Sequence, residues 1–169
     1  YVGELTDDEA LERFMWKFVV WYYNHMEIVY VPSAATGQEL IEKGVQPGKV
    51  RFYHRGIDID RFTPAKRNGF FKRKFDYDDK RLKLIYVGRV SKEKNLPLLA
   101  DIFKDVYSKR KDLTLVIVGD GPYLCEMKKT LEGYLVLFTG VLEGEDLAEA
   151  FASSDIFVFP STTDTFGNV

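Results

Sequence analysis

From Leu82 onward the chain alternates between short apolar runs and amphipathic stretches, and that alternation constrains the fold more than any other feature. "LKLIYV" (Leu82–Val87) and "LTLVIV" (Leu113–Val118) are continuous β-rich runs, the pattern of strands covered on both faces. "LVLFTG" and "DIFVFP" continue the series. In between, Leu99, Ile102, Phe103 and Val106 recur at helical spacing. Two more helices are expected, from about Tyr123 to Glu132 and over "EDLAEAFAS". Asn95 is placed to cap the first helix, with Leu96 and Pro97 in its opening turn, where proline costs little. Strand and helix in such alternation require a parallel sheet with right-handed crossovers. The expected class is α/β, a parallel sheet with helices on both faces.

The stretch before Leu82 is less regular. Thr6-Asp7-Asp8-Glu9 has capping-box spacing, so a helix is expected from about Asp7 to His25. It contains "FMWKFVVWYY" (Phe14–Tyr23), the most apolar run, which Lys17 interrupts. That run is too short to cross a bilayer, which needs about 20 residues. A buried helix and a membrane-facing helix are both open readings. "EIVYV" reads as a short strand, Ser33 as the cap of a helix ended by Gly44, and "KVRFYHRG" as a further strand. Residues 66–81 are crowded with both charges and poor in aliphatics, which reads as a charged linker or a short surface helix. The expected organisation is residues 1–65, a linker over 66–81, and a domain over 82–169.

Composition removes several classes of function. Apolar residues make up 46% and aromatics 15%, enough for a real core. The net charge of −2 leaves no basic excess to neutralise phosphates, so nucleic acid is not an expected partner. A single cysteine, Cys125, excludes an internal disulfide framework and a cysteine metal cluster, and it fits a reducing cytoplasm. His25 and His54 lack partners at metal-ligand spacing, so no metal site is expected. Neither a Ser-His-Asp pattern nor a GxSxG elbow is present. The acidic start does not look like a secretory signal.

In open parallel sheets, ligands bind beyond the carboxyl ends of the strands. That directs attention to "GRVSKEKN", "GDGPY", "TGVLEG" and "PSTTDTFGNV". Arg89 follows a strand, and Lys94 lies in the same loop. A planar fork beside a compact charge suits a diphosphate, although two solvated surface cations would look the same. In "GDGP" the third glycine of a dinucleotide fingerprint would fall on Leu124, so that reading fails. Gly119 and Gly121 instead permit close backbone approach, to a ligand or to a neighbouring strand. The last loop places Asp164 before Gly167, where a helix begins to open. Helix N-termini bind anions, and a capped helix without a ligand is the alternative.

Taken jointly, "YVGRVSKEKN", "VIVGDGP", "LFTGVLEGEDLAEAFASSDIFVFPS" and "TDTFGNV" resemble the retaining glycosyltransferases of family four, whose GT-B fold has two Rossmann-like domains. "VPSAATGQELIEKGV" and "RGIDIDRFTP" resemble the end of that family's first domain and its passage into the second. The resemblance covers nearly the whole chain. It implies a Rossmann-like donor-binding domain over 82–169 and a metal-independent transfer of sugar, with retention, from a nucleotide-diphosphate sugar to an acceptor hydroxyl. No cofactor is implied besides that substrate.

By the same resemblance, Arg89 and Lys94 hold the diphosphate, with backbone N–H groups of Gly167, Asn168 and Val169. Gly88, Gly119, Asp120 and Gly121 line the donor loops, and the backbone around Val141 and Leu142 meets the base. Asp164 stands where the family carries a catalytic glutamate, shorter in reach by on the order of 1 Å. The family's second glutamate would fall after Val169. The chain opens on Tyr1 rather than Met, and the acceptor site is expected before it. The expectation is therefore a fragment of an enzyme, inactive by itself. A lipid or polysaccharide acceptor and peripheral association with the inner face of a membrane would be ordinary for the family. The fragment would self-associate through Phe14–Tyr23. The alternative reading is a non-catalytic Rossmann-like module that binds a nucleotide or anion with the same loops.

Overall fold

The computed structural model describes residues 9–53, 56–77 and 80–161. The chain divides into two compact units, the first ending at Gly56 and the second beginning at Ile57.

In the first unit, helix α1 (Glu9–His25) leads into β1 (Val29–Val31), α2 (Ala34–Lys43) and β2 (Val50–Phe52). β1 and β2 pair in parallel, Val29 opposite Val50 and Val31 opposite Phe52. The ends of α2 follow from its sequence. The Ser33 hydroxyl accepts from the Thr36 amide at 3.1 Å, and Gly44 closes the helix at φ 114°, a left-handed conformation that glycine adopts without cost. Val29, Val31, Leu40, Val45 and Val50 form the core, with Trp16, Val20 and Tyr23 of α1 packed against it. The expected cap at Thr6 and the residue His54 lie outside the described residues.

The second unit contains α3 (Phe70–Phe75), β3 (Leu82–Val87), α4 (Leu96–Lys109), β4 (Leu113–Val118), α5 (Leu124–Thr130), β5 (Val136–Gly140), α6 (Gly144–Ala152) and β6 (Ile156–Phe157). Its sheet has the order β5-β4-β3-β6 with every described pairing parallel. The α/β class expected from the alternation is the observed one.

All six residues of β4 are buried. Successive side chains point to opposite faces of a strand, so β4 supplies both cores. Leu113, Leu115 and Ile117 join Phe103, Leu99 and Met127 on one face. Val116 and Val118 join Phe70, Phe71, Ile85 and Ala150 on the other. Burying one such aliphatic side chain contributes about 1.5–3 kcal/mol, which makes β4 the centre of the unit.

The structure refines two expectations. The segment read as a charged linker or a short surface helix over 66–81 carries a short helix, α3, but its Phe70 and Phe71 are buried, 1% and 0% exposed. Its cations face acids on α6: Lys66 pairs with Glu145, Lys74 with Asp146, and Arg73 with Glu149 at 2.6 Å. Residues ahead of it join the same surface, with Phe62 6.2 Å from Phe151 ring to ring. The chain passes from the first compact unit to the second between Gly56 and Ile57. Asn95 does not cap α4 through its side chain either. It takes a left-handed φ of 57°, and its amide Nδ2 donates to the Pro160 carbonyl at 3.4 Å.

Candidate functional site

The carboxyl ends of β3, β4, β5 and β6 lie along one edge of the sheet, because all pairs are parallel. Backbone hydrogen bonds fasten the loops that leave them. The Gly88 amide donates to the Val118 carbonyl at 3.0 Å, and the Val90 amide to the Asp120 carbonyl at 2.9 Å. The Tyr123 amide returns to the Val90 carbonyl at 3.0 Å, and the Gly119 amide reaches the Gly140 carbonyl at 2.8 Å. Three loops thus form one surface with its backbone groups largely paired.

Two of the glycines are explained by this stitching. A Cβ on Gly119 would stand 2.0 Å from the Gly88 carbonyl oxygen, and one on Gly121 would stand 2.4 Å from that of Val90. "GDGP" reads as approaching a ligand or a neighbouring strand; the close neighbour the geometry supplies is the loop that follows β3. Asp120 turns its carboxylate onto its own loop, accepting from the Gly121 amide at 2.7 Å.

Arg89 projects from this surface, its side chain 65% exposed and its guanidinium 3.8 Å from the Glu93 carboxylate. An exposed pair of that length contributes little, and an incoming anion can replace it. Lys94 is half-buried at the end of the same loop. Between them, Lys92 pairs with Glu126 at 2.9 Å and lies over the Tyr123 ring. Glu126 raises the Lys92 pKa above its ordinary value, first through their hydrogen bond. On the β5 side, Val141 is 63% exposed while Leu142 is buried in the core beneath it. An exposed residue beside a buried anchor suits an edge that meets a flat ring.

Asp164, Gly167, Asn168 and Val169 lie outside the described residues. The structure brings together Gly88, Arg89, Lys94, Gly119, Asp120, Gly121, Val141 and Leu142 at one sheet edge. Two residues of this edge were not singled out in the sequence. Tyr86 is fully buried, and its hydroxyl donates to the Arg89 carbonyl at 2.9 Å. Ser91 is 4% exposed, with its hydroxyl buried. The one signal for Tyr86 is a phenol among the aliphatic residues at the end of its strand, since a buried hydroxyl needs a partner. Among the described residues no cluster of His, Cys, Asp or Glu could hold a metal ion, and no helix is long and apolar enough to cross a membrane.

Among the described residues, a four-stranded parallel sheet with helices packed on it and glycine turns at its carboxyl edge defines an α/β protein of the Rossmann-like class. Comparison with known proteins narrows the class. Residues 81–169 match the family model described as glycosyl transferases group 1, and residues 4–61 match that of glycosyltransferase family 4. The chain belongs to the group 1 glycosyltransferases.

It is 34% identical to the sulfoquinovosyl transferase SQD2 of Arabidopsis thaliana, over 92% of this chain and 30% of that protein. It is 35% identical to a GDP-mannose-dependent alpha-mannosyltransferase of Corynebacterium glutamicum, over 89% of this chain and 34% of the relative. The chain therefore spans about a third of the length of these relatives. Among solved structures, Anabaena Alr3699/HepE in complex with UDP and glucose superposes with a TM-score of 0.73 at 19% identity, covering 90% of this chain and 43% of that one. That likeness concerns the fold, which is the GT-B fold in part.

Proposed function

We propose that this chain carries the donor side of a retaining glycosyltransferase that moves a sugar from a nucleotide-diphosphate sugar to an acceptor hydroxyl without a metal ion. The observation that supports it is the placement of Arg89 and Lys94 at the edge of three loops whose backbones are already fastened together. As the glycosidic bond breaks, negative charge grows on the departing diphosphate, and fixed cations stabilise that charge most where they need not reorganise. The backbone around Val141 and Leu142 is the proposed contact for the base, and Asp164 the proposed contact for the donor sugar. A lipid or polysaccharide acceptor, with the whole enzyme cytoplasmic at the inner membrane face, completes the reading. The exposed aromatic side chains of α1, Phe14, Phe18, Trp21 and Tyr22, support it.

Titration of the 169-residue chain with uridine or guanosine diphosphate, followed by NMR in the presence of a chelator, tests the donor site. Shifts should concentrate at residues 88–94, 119–121 and 141–142, and Arg89→Ala should weaken binding by about tenfold or more. Shifts scattered over the surface, or no loss in Arg89→Ala, would count against it. Incubated with nucleotide sugars and acceptors, the chain alone should show no transfer. The anomeric coupling of product made by a longer form containing this chain tests retention.

A further inference from the structure

We infer that Tyr86 is a positioning residue for Arg89, acting through the peptide that joins Arg89 to Val90; this rests on the donor site proposed above. Tyr86 is fully buried, and its hydroxyl donates to the Arg89 carbonyl at 2.9 Å. The N–H of that same peptide plane, on Val90, donates to the Asp120 carbonyl at 2.9 Å. The plane is therefore held from both ends. A hydrogen bond at one end polarises the peptide and strengthens the bond at the other. The Arg89 Cα is fixed at the start of this plane, which sets where its otherwise exposed side chain begins.

The phenol has room because the next residue but one is Gly88, where a Cβ would stand 3.0 Å from the Tyr86 oxygen. Gly88 is thus required by Tyr86 as much as by any ligand. On its other side the Tyr86 ring stacks on Phe159, 6.4 Å between centroids and 14° between planes. Phe159 precedes Pro160, whose carbonyl accepts from Asn95. One buried side chain thereby joins the β3 loop to the end of β6. A phenylalanine would keep the ring stack and the core while removing only the hydroxyl, leaving the Arg89 carbonyl without this donor.

The test is a double-mutant cycle on the 169-residue chain, with uridine diphosphate as the probe and binding followed by NMR. Tyr86→Phe should weaken binding about three- to tenfold. The same change made in an Arg89→Ala background should have no further effect, because Arg89 is the group being positioned. The Val90 amide resonance should move in Tyr86→Phe without any ligand, while the thermal midpoint stays within a few degrees. Equal losses from Tyr86→Phe in both backgrounds would show a merely structural role and overturn the inference, leaving the donor site standing. Binding that is unchanged in Tyr86→Phe but weakened in Arg89→Ala would do the same. Absence of binding by the unmodified chain would overturn the inference and the donor site together.

Discussion

At the scale of single residues, Asp155 shows how a charged group is made part of the core edge. Its carboxylate accepts from Arg67 at 2.6 Å and from the Lys83 amide at 2.8 Å. Burial pushes its pKa up, but the Arg67 hydrogen bond, the Lys83 amide and the nearby charges outweigh burial, and the carboxyl is held below its ordinary value of 3.8. A depressed folded-state pKa contributes stability above the unfolded value, and that stability is lost as pH falls through the folded value. Stability should therefore decline on acidification below about pH 4. Asp155→Asn should be less stable at neutral pH, by at most about 1 kcal/mol, and should lose less on acidification, so the two curves converge. Denaturant melts at several pH values check this; parallel curves would refute it. Arg89 and Lys94 stood out in the sequence as two cations in one loop after a strand, a pattern that solvated surface cations share. Tyr86 did not, because nothing in "LIYV" says where the hydroxyl goes. Gly119 and Gly121 were legible as close-approach sites, but their neighbour is another loop.

At the scale of elements, the strands and long helices of the second unit were readable because burial imposes a period. Continuous apolar runs became β3 and β4, and the 3.6-residue stripe became α4, with Leu99 and Phe103 buried. The strand bounds shrank, Glu27–Val31 to Val29–Val31, because parallel pairing with β2 covers only those residues. α3 escaped for a different reason. "FFKRKF" reads as a surface because its cations dominate composition, yet those cations meet Asp146 and Glu149 of α6 while the phenylalanines turn inward. The partition of energy between the two contributions is testable. The Lys74 and Asp146 side chains are 42% and 46% exposed, so the pair should contribute at most about 1 kcal/mol. Phe71→Ala leaves a cavity under the sheet and should cost about 3–5 kcal/mol. Denaturant unfolding of Lys74→Ala and Phe71→Ala should show that contrast. Comparable losses would mean that the charges hold α3 down as much as the rings do.

At the scale of the whole molecule, α1 is apolar on two sides, and only one is covered. Trp16, Val20 and Tyr23 pack on the first unit's core. Phe14, Phe18, Trp21 and Tyr22 are 65%, 53%, 58% and 47% exposed, with Phe18 6.0 Å from Trp21 and 6.4 Å from Tyr22. Spacings of four and seven residues place Phe14, Phe18 and Trp21 on one stripe. A helix apolar all round is normally buried, and contiguous apolar patches beyond a few hundred Å² are rare on soluble monomers. The sequence showed the run but could not show which side the core would take, since that depends on how α1 meets the sheet. The 169-residue chain should therefore self-associate through this stripe, with a sedimentation coefficient that rises with concentration. Phe18→Glu with Trp21→Glu should abolish that rise. It should leave the thermal midpoint of the dilute protein nearly unchanged, because both side chains are more than half exposed and neither belongs to the core. A strictly monomeric chain at high concentration would sink the prediction. An equal rise in the double variant would move the contact to another surface.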